Sequence, residues 1–219
     1  MSDPAPPSFS PLSPFSPLSP PSPPVSILVL ASGNGSNLQA LIDEEKRGGL
    51  GGGAIAGVAS DRSGAYALER SRQAGIPACF FPRGPGLSER VLRFARERSA
   101  DIIILAGFLS ILENPLIDAY AGWMINLHPS LLPKFGGKGM HGGAVHRAVL
   151  AAGETVSGCT VHAVTSAVDS GAVLLQRSVP VLPEDTPESL GLRVRGEEHR
   201  IIAEAAELLV RQRRLYAGR

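Results

Sequence analysis

Short apolar runs alternate along the chain with longer segments in which apolar residues recur every three or four positions. Three of the runs are nearly continuous, as is typical of parallel strands buried on both faces, and they lie at residues 25–31, 54–60 and 102–105. The segments between them have the period of helices that cover a sheet. This alternation predicts an α/β fold built on a doubly wound, mostly parallel sheet.

The second half of the chain adds a different pattern. Residues 156–164 and 172–181 are apolar and rich in β-branched side chains, which predicts two paired strands that form an antiparallel edge of the sheet. A helical period then runs from Pro187 to about Val210. The predicted sheet is therefore parallel in its centre and antiparallel at one side.

The first 24 residues differ in composition from the rest of the chain. They contain ten of the nineteen prolines and seven serines, which leaves too little apolar surface to offset the entropy of ordering. We therefore predict a disordered Pro/Ser-rich tail at residues 1–24 and one domain at residues 25–219. The tail lacks the charged start and the apolar core of a secretory signal, which favours a cytoplasmic location.

The charges and the cysteines of the chain indicate which kinds of molecule it is expected to bind. Twenty-one basic and twenty acidic residues give a formal charge of +1, so no global attraction to nucleic acid or to an anionic membrane is expected. Cys79 and Cys159 form no C-x-x-C motif, which argues against a metal site and against a disulfide scaffold. Small-molecule substrates are the expected partners, and no metal is expected. A homodimer is the candidate assembly.

A glycine loop, S-G-N-G-S-N at residues 32–37, lies between the first strand and the first helix. Its backbone N–H groups and the helix N-terminus suit a phosphate, and Ser36 and Asn37 can donate from their side chains and cap the helix. Leu38 replaces the third glycine of a dinucleotide fingerprint, and no P-loop lysine follows, so a monophosphate site is favoured. A purely structural tight turn is the alternative.

The loop after the strand at residues 102–105 is unusually apolar. Its sequence, A-G-F-L-S-I-L, keeps four large apolar residues, which are Phe108, Leu109, Ile111 and Leu112. They either pack against the core or form the wall of a pocket for a flat heterocycle that hydrogen-bonds to the main chain. The pattern supports both interpretations equally.

Polar side chains interrupt the apolar strand in M-I-N-L-H-P-S-L-L-P-K, residues 124–134. Asn126 and His128 are candidate catalytic groups because the end of a strand is a rigid and accessible mount. A loop histidine beside a turn proline is the alternative. The glycine-rich residues 134–143 either close over a ligand or only connect, and Asp169 lies in a turn, which is common for aspartate.

Five blocks occur in one order along the chain: S-G-N-G-S-N-L-Q-A, L-A-G-F-L, I-N-L-H-P-S-L-L-P-K, D-S-G-A-V-L-L-Q and E-E-H. With these blocks the chain resembles the phosphoribosylglycinamide formyltransferase family from about Val25 to the C-terminal helix. The resemblance implies a Rossmann-like formyltransferase fold. It also implies transfer of a formyl group from the co-substrate 10-formyltetrahydrofolate to the amine of glycinamide ribonucleotide, in de novo purine biosynthesis.

The resemblance implies roles residue by residue. Asn126, His128 and Asp169 match the catalytic positions: direct attack of the amine would form a tetrahedral intermediate stabilised by Asn126 and His128, with Asp169 assisting proton transfer. The matched phosphate-binding residues are Gly35, Ser36 and Asn37, and those for the ribose and amine are Pro129 and Glu198. The matched folate-binding residues are Leu109, Ser110, Ile111, Leu112, Val164, Val168 and Asp169.

Three features depart from the family pattern: Ser110 where many relatives carry an arginine, a longer glycine-rich stretch after the catalytic loop, and Arg195 where a neutral residue is common. A related folate enzyme, methionyl-tRNA formyltransferase or formyltetrahydrofolate hydrolase, is one alternative, although each is expected to carry a further domain. A non-catalytic nucleotide-binding module is another. It would explain the glycine loop but would leave Asn126, His128 and Asp169 without a shared purpose.

Overall fold

The computed structural model describes residues 23–217. Residues 1–22 of the predicted tail therefore lie outside the described residues. Its strands in chain order are β1 Val25–Leu30, β2 Gly53–Ser60, β3 Ala78–Phe80, β4 Ile102–Leu105, β5 Met124–His128, β6 Val156–Ala163 and β7 Val173–Pro180. Its helices are α1 Ser36–Lys46, α2 Tyr66–Gln73, α3 Leu87–Glu97, α4 Leu116–Ala119, α5 Gly143–Ala151 and α6 Pro187–Ala217. The sequence did not predict α4, because four residues are too few to show a helical period.

The strands form one sheet in the order β3-β2-β1-β4-β5-β6-β7. The pairs β2–β3, β1–β2, β1–β4 and β4–β5 are parallel, whereas β5–β6 and β6–β7 are antiparallel. The predicted fold, a doubly wound and mostly parallel sheet with an antiparallel edge, is confirmed. The strand order reverses beside β1, which is where open sheets of this kind bind ligands.

Strand β1 lies in the middle of the sheet and is buried on both faces. Ile27 and Val29 face one core with residues of α1, α5 and α6, while Leu28 and Leu30 face the other with residues of α3 and α4. None of these four side chains is exposed to solvent. The continuous apolar run of the sequence therefore follows from the presence of helices on both faces.

The start of α1 differs from the sequence-based expectation. The residue before the helix is Gly35, whose φ of 75° is left-handed, and no side chain makes a capping hydrogen bond. The predicted capping role of Ser36 and Asn37 is therefore wrong, because both residues lie inside the first turn of the helix. Asn37 instead donates from Nδ2 to Oε2 of Glu198 at 3.1 Å.

Helix α6 is longer than predicted and ends at Ala217 instead of near Val210. Its last turns are held by the ring of Tyr216, which packs edge-on against Trp123, and by Arg213, which pairs with Asp101. Between residues 23 and 217, no helix combines the length and the apolar character needed to cross a membrane.

Gly158 should be a position at which β6 tolerates no side chain. A Cβ there would lie 2.0 Å from the carbonyl oxygen of Arg177 on β7 and 2.7 Å from Cδ2 of Leu131. We expect Gly158→Ala to lower the free energy of unfolding by about 1–3 kcal/mol, because backbone must move to make room. Gly196→Ala is the matched control, since a Cβ at this α6 position meets nothing within 4 Å.

Urea unfolding followed by circular dichroism measures both variants. Gly196→Ala should raise the free energy of unfolding by about 0.5–1 kcal/mol, because alanine loses less backbone freedom than glycine in a helix. Equal stability of Gly158→Ala and the parent chain would contradict the close approach of β6 and β7.

Candidate active site

A cavity of about 720 Å³ opens where the carboxyl ends of β1, β4 and β5 meet. The loops after these strands line it, together with residues 137–142, residues 164–169 and part of α6. Every residue that the sequence assigned to catalysis, phosphate, ribose, amine or folate lies in this lining. The structure thus brings all of the predicted site residues to one place.

The register of the strands places the ends of β1, β4 and β5, and the polar side chains near them, side by side. Leu105 of β4 lies opposite Leu30 of β1 and opposite Asn126 of β5, so the three strands end side by side. On its other side β5 pairs with β6, which places Asn126 opposite His162. Residues that are far apart in the chain therefore meet in one cavity.

Asn126, His128, His162 and Asp169 form a connected group of side chains, which we call the catalytic cluster after the role that the sequence predicts for three of them. Nδ2 of Asn126 lies 3.0 Å from Nε2 of His162. Asp169 stands between the two histidines, with Oδ1 3.5 Å from Nε2 of His162 and Oδ2 3.5 Å from Nδ1 of His128. Sequence reasoning missed His162, for which the only signal was a histidine inside an otherwise apolar strand.

Backbone carbonyl groups define which ring nitrogens carry protons. Nδ1 of His162 lies 2.9 Å from the carbonyl oxygen of Ala163, and Nε2 of His128 lies 2.9 Å from that of Phe135. A carbonyl oxygen can only accept, so both nitrogens must donate. The neutral ring of His162 then accepts at Nε2 from the Asn126 amide, which leaves the second N–H of that amide for a ligand.

Burial and hydrogen bonding set the charges of the cluster. Burial lowers the pKa of His128 and outweighs both the bond to Phe135 and the charge of Asp169. Burial by itself would raise the pKa of Asp169, but its contact with His162 and the hydrogen bond from the backbone N–H of Gly137 lower it below its usual value. At neutral pH the cluster therefore holds an ionised Asp169 beside a neutral His128.

The start of the glycine-rich stretch is part of the site. The N–H of Gly137 donates to Oδ2 of Asp169 at 2.8 Å, and Phe135 accepts from His128. At Gly136 a Cβ would lie 3.3 Å from Cβ of Asp169 and 2.6 Å from Cδ2 of Leu132. Residues 135–137 thus contact both His128 and Asp169 directly.

The phosphate-type loop is held in shape by a residue that the sequence did not single out. Arg70 of α2 donates from Nε to the carbonyl oxygen of Asn34 at 2.8 Å and from Nη2 to Oδ1 of the same residue at 2.9 Å. Gly35 packs so closely on α2 that a Cβ would lie 2.8 Å from Cβ of Ala67. The close approach and the positive φ together explain why glycine occupies position 35.

Glu198 faces the same end of the cavity from α6. Burial raises the pKa of Glu198, against the opposing effects of the bond from Asn37 and the charge of Arg195. Oδ1 of Asn37 is buried and has no hydrogen-bond partner among residues 23–217. Asn37 and Glu198 thus form a hydrogen-bonded pair at this end of the cavity, beside the backbone of the glycine loop.

The apolar loop divides its four large side chains between core and cavity. Phe108 and Leu112 are 9% and 5% exposed, whereas Leu109 and Ile111 are 38% and 54% exposed. The packing interpretation therefore holds for Phe108 and Leu112, whereas Leu109 and Ile111 form part of the cavity wall. Val168, 40% exposed, and Val164 lie in the lining contributed by residues 164–169.

Histidine and carboxylate side chains, which are common metal ligands, meet in this cavity. Across residues 23–217 no group of three or more histidine, cysteine, aspartate or glutamate side chains is arranged to hold a metal ion. The side chains of the cluster instead contact one another.

Residues 25–206 match the family described as formyl transferase. The chain is 40% identical over 182 residues to the phosphoribosylglycinamide formyltransferase of Escherichia coli, covering 81% of this chain and 83% of that protein. It is 39% identical over 192 residues to the chloroplastic phosphoribosylglycinamide formyltransferase of Vigna unguiculata, covering 85% of this chain. The chain spans 61% of the length of the Vigna protein.

Solved structures show the same fold. The crystal structure of glycinamide ribonucleotide transformylase 1 from Symbiobacterium toebii matches with a TM-score of 0.82 and 38% sequence identity. The match covers 88% of this chain and 90% of that one. The similarity therefore extends over nearly the whole of the described fold.

We expect the folded protein to lose stability as the pH falls below about 6.5, because burial lowers the pKa of His128, His146 and His199. In that range the unfolded chain binds protons that the folded chain does not, so the free energy of unfolding decreases with decreasing pH. Removing one such histidine should make this dependence shallower, by up to about 1.4 kcal/mol per pH unit.

His146→Gln is the variant that checks this, since His146 is buried and its Nδ1 has no partner among the described residues. Urea unfolding of parent and variant is compared between about pH 5.5 and about pH 7.5. Identical slopes in the two proteins would show that His146 is protonated equally in the folded and unfolded states.

Proposed function

Because the chain belongs to the formyl transferase family, we propose that it transfers the formyl group of 10-formyltetrahydrofolate to the amine of glycinamide ribonucleotide, in de novo purine biosynthesis. One observation carries the proposal: a single cavity joins a phosphate-type loop, the carboxylate of Glu198 and the catalytic cluster. The same cavity has an apolar wall, formed by the exposed side chains of Leu109, Ile111 and Val168. These are the four kinds of group that a phosphorylated amine and a folate require when they react together.

The two ends of the cavity suit the two substrates. At one end, Gly35, Ser36 and Asn37 stand at the start of α1, where backbone N–H groups and the helix dipole favour a phosphate. Glu198 is the acceptor for the N–H groups of the substrate amine, with Pro129 beside the ribose. At the other end the exposed side chains of the apolar wall suit a flat folate ring.

The reaction proceeds by direct attack. The amine nitrogen bonds to the formyl carbon, the carbonyl oxygen gains negative charge, and a tetrahedral intermediate forms. The free N–H of Asn126 donates to this oxygen, and a preorganised donor of this kind is typically worth about 10²- to 10³-fold in rate. His128 contributes the second donor once it is protonated.

Proton transfer completes the step. The attacking nitrogen must lose a proton, and N10 of the folate must gain one as its bond to the formyl carbon breaks. His128 is neutral at rest and so can take up a proton, and the ionised carboxylate of Asp169, 3.5 Å from its Nδ1, stabilises the resulting imidazolium. Asp169 thus assists proton transfer by electrostatic stabilisation and through water.

An assay with two arms tests the proposed function. The protein is incubated with 10-formyltetrahydrofolate with or without glycinamide ribonucleotide, and folate absorbance is followed. We expect consumption of the formyl-folate only when the ribonucleotide is present. Consumption in its absence would indicate a formyltetrahydrofolate hydrolase, and none in either arm would support a non-catalytic binding protein.

We expect His128→Ala and Asp169→Asn to lower kcat for formyl transfer by about 10²-fold or more, because each removes a group that handles the proton or its charge. Circular dichroism should show both variants folded. Asp185→Asn is the matched control: Arg193 lowers the pKa of Asp185 and pairs with it, outside the cavity lining, so this variant should keep the parent kcat. Near-parent turnover of His128→Ala or Asp169→Asn would reject the mechanism.

Ser36→Asp should raise KM for glycinamide ribonucleotide by about tenfold, equivalent to ~1.4 kcal/mol of charge repulsion, and leave KM for the folate unchanged. An aspartate at the first position of α1 is favourable for the helix itself, so the variant should fold. Ser178→Asp, at an exposed position of β7, controls for the added charge. An unchanged KM for the ribonucleotide in Ser36→Asp would place the phosphate elsewhere.

A further inference from the structure

Asp61, directly after β2, is a buried carboxylate that the proposed reaction does not use. Its side chain is fully buried, and it does not line the cavity. A buried charge is costly unless it is paired and hydrogen-bonded. The partners of Asp61 therefore show what this charge holds in place.

Three segments of the chain meet at Asp61. Its Oδ2 accepts a hydrogen bond from the hydroxyl of Ser110 at 2.6 Å and another from Nε of Arg83 at 2.8 Å. Ser110 belongs to the loop after β4, and Arg83 to the connection between β3 and α3. The carboxylate thus ties the end of β2 to both of these loops.

Ser32 completes the attachment of the same loop from the end of β1. Its Oγ accepts from the N–H of Leu109 at 2.8 Å, and its own N–H donates to the carbonyl oxygen of Gly107 at 3.0 Å. The loop is therefore held at Gly107 and Leu109 by Ser32 and at Ser110 by Asp61. Leu109 and Ile111, the two exposed wall residues, flank the attached position.

The charge of Asp61 matters for this attachment. Burial would raise the pKa of Asp61, but hydrogen bonds from Ser110, Ser32 and Arg83 lower it below its usual value. The group therefore accepts only, from a hydroxyl and a guanidinium that both donate. Both donors reach Oδ2, so an amide of the same shape could keep that acceptor but would lose the negative charge that pairs with Arg83 and strengthens both hydrogen bonds.

We propose that Asp61 is a positioning residue for the folate co-substrate: with Ser110 and Arg83 it holds the main chain of residues 109–111 in the conformation that binds the heterocycle. The inference rests on the proposed function, since it takes the apolar wall as the folate subsite. Asp61 touches no substrate and acts through the loop alone.

The test compares Asp61→Asn, Ser110→Ala and the double variant with the parent chain. We expect each single change to raise KM for 10-formyltetrahydrofolate by about three- to tenfold, with kcat and KM for the ribonucleotide within about twofold of the parent. The double variant should be no worse than Asp61→Asn, because both changes break the same attachment.

Asp101→Asn is the matched control. Asp101 also accepts from an arginine, Arg213, and from a backbone N–H, that of Ser26, but it lies at the opposite end of β1 and β4. It should leave both KM values unchanged. A rise in KM for both substrates in Asp61→Asn, or a fall in kcat alone, would overturn the positioning role and leave a merely structural one.

Calorimetric titration with tetrahydrofolate, in the absence of the ribonucleotide, separates this inference from the proposed function. Weaker binding to Asp61→Asn than to the parent, by the same three- to tenfold, would support the inference even if no formyl transfer were detected. Equal binding by the two proteins would reject it even if the parent enzyme were fully active.

Discussion

Strand β4 pairs in parallel with β1 on one side and with β5 on the other, and the site depends on this alignment. These strands are apolar and buried on both faces, so a shift of register would misplace every core side chain at once. With the register held, the glycine loop after β1, the apolar loop after β4 and the polar end of β5 open on one cavity. Packing at the centre of the sheet thus holds the polar residues of the site in place at the carboxyl ends of these strands.

The antiparallel edge of the sheet contributes two further polar side chains to the site. Strand β6 carries His162, which orients the amide of Asn126, and the turn between β6 and β7 carries Asp169. Asp169 has a φ of 52°, a conformation that aspartate tolerates better than most residues. Its position between two histidines keeps a negative charge next to a neutral, buried His128 that can receive a proton.

Two buried or half-buried aspartates hold separate parts of the site together. Asp169 contacts both histidines of the catalytic cluster, while Asp61 accepts a hydrogen bond from Ser110 in the apolar loop after β4. In both cases hydrogen bonds from neighbouring groups lower the pKa against the effect of burial. Charge is placed inside the protein only where donors surround it, as the cost of desolvation requires.

The sequence by itself determined the alternation of strands and helices, the parallel centre, the antiparallel edge and many of the residues that line the cavity. These features are visible because periodicity and motifs are local properties of a chain. The helix cap, the charge of His128 and the roles of His162, Arg70 and Asp61 were decided only by the tertiary structure. His162 meets Asn126 across 36 positions, Arg70 meets Asn34 across 36, and Asp61 meets Ser110 across 49. Protonation and hydrogen bonding depend on burial and on such distant partners, so no local pattern of residues could reveal them.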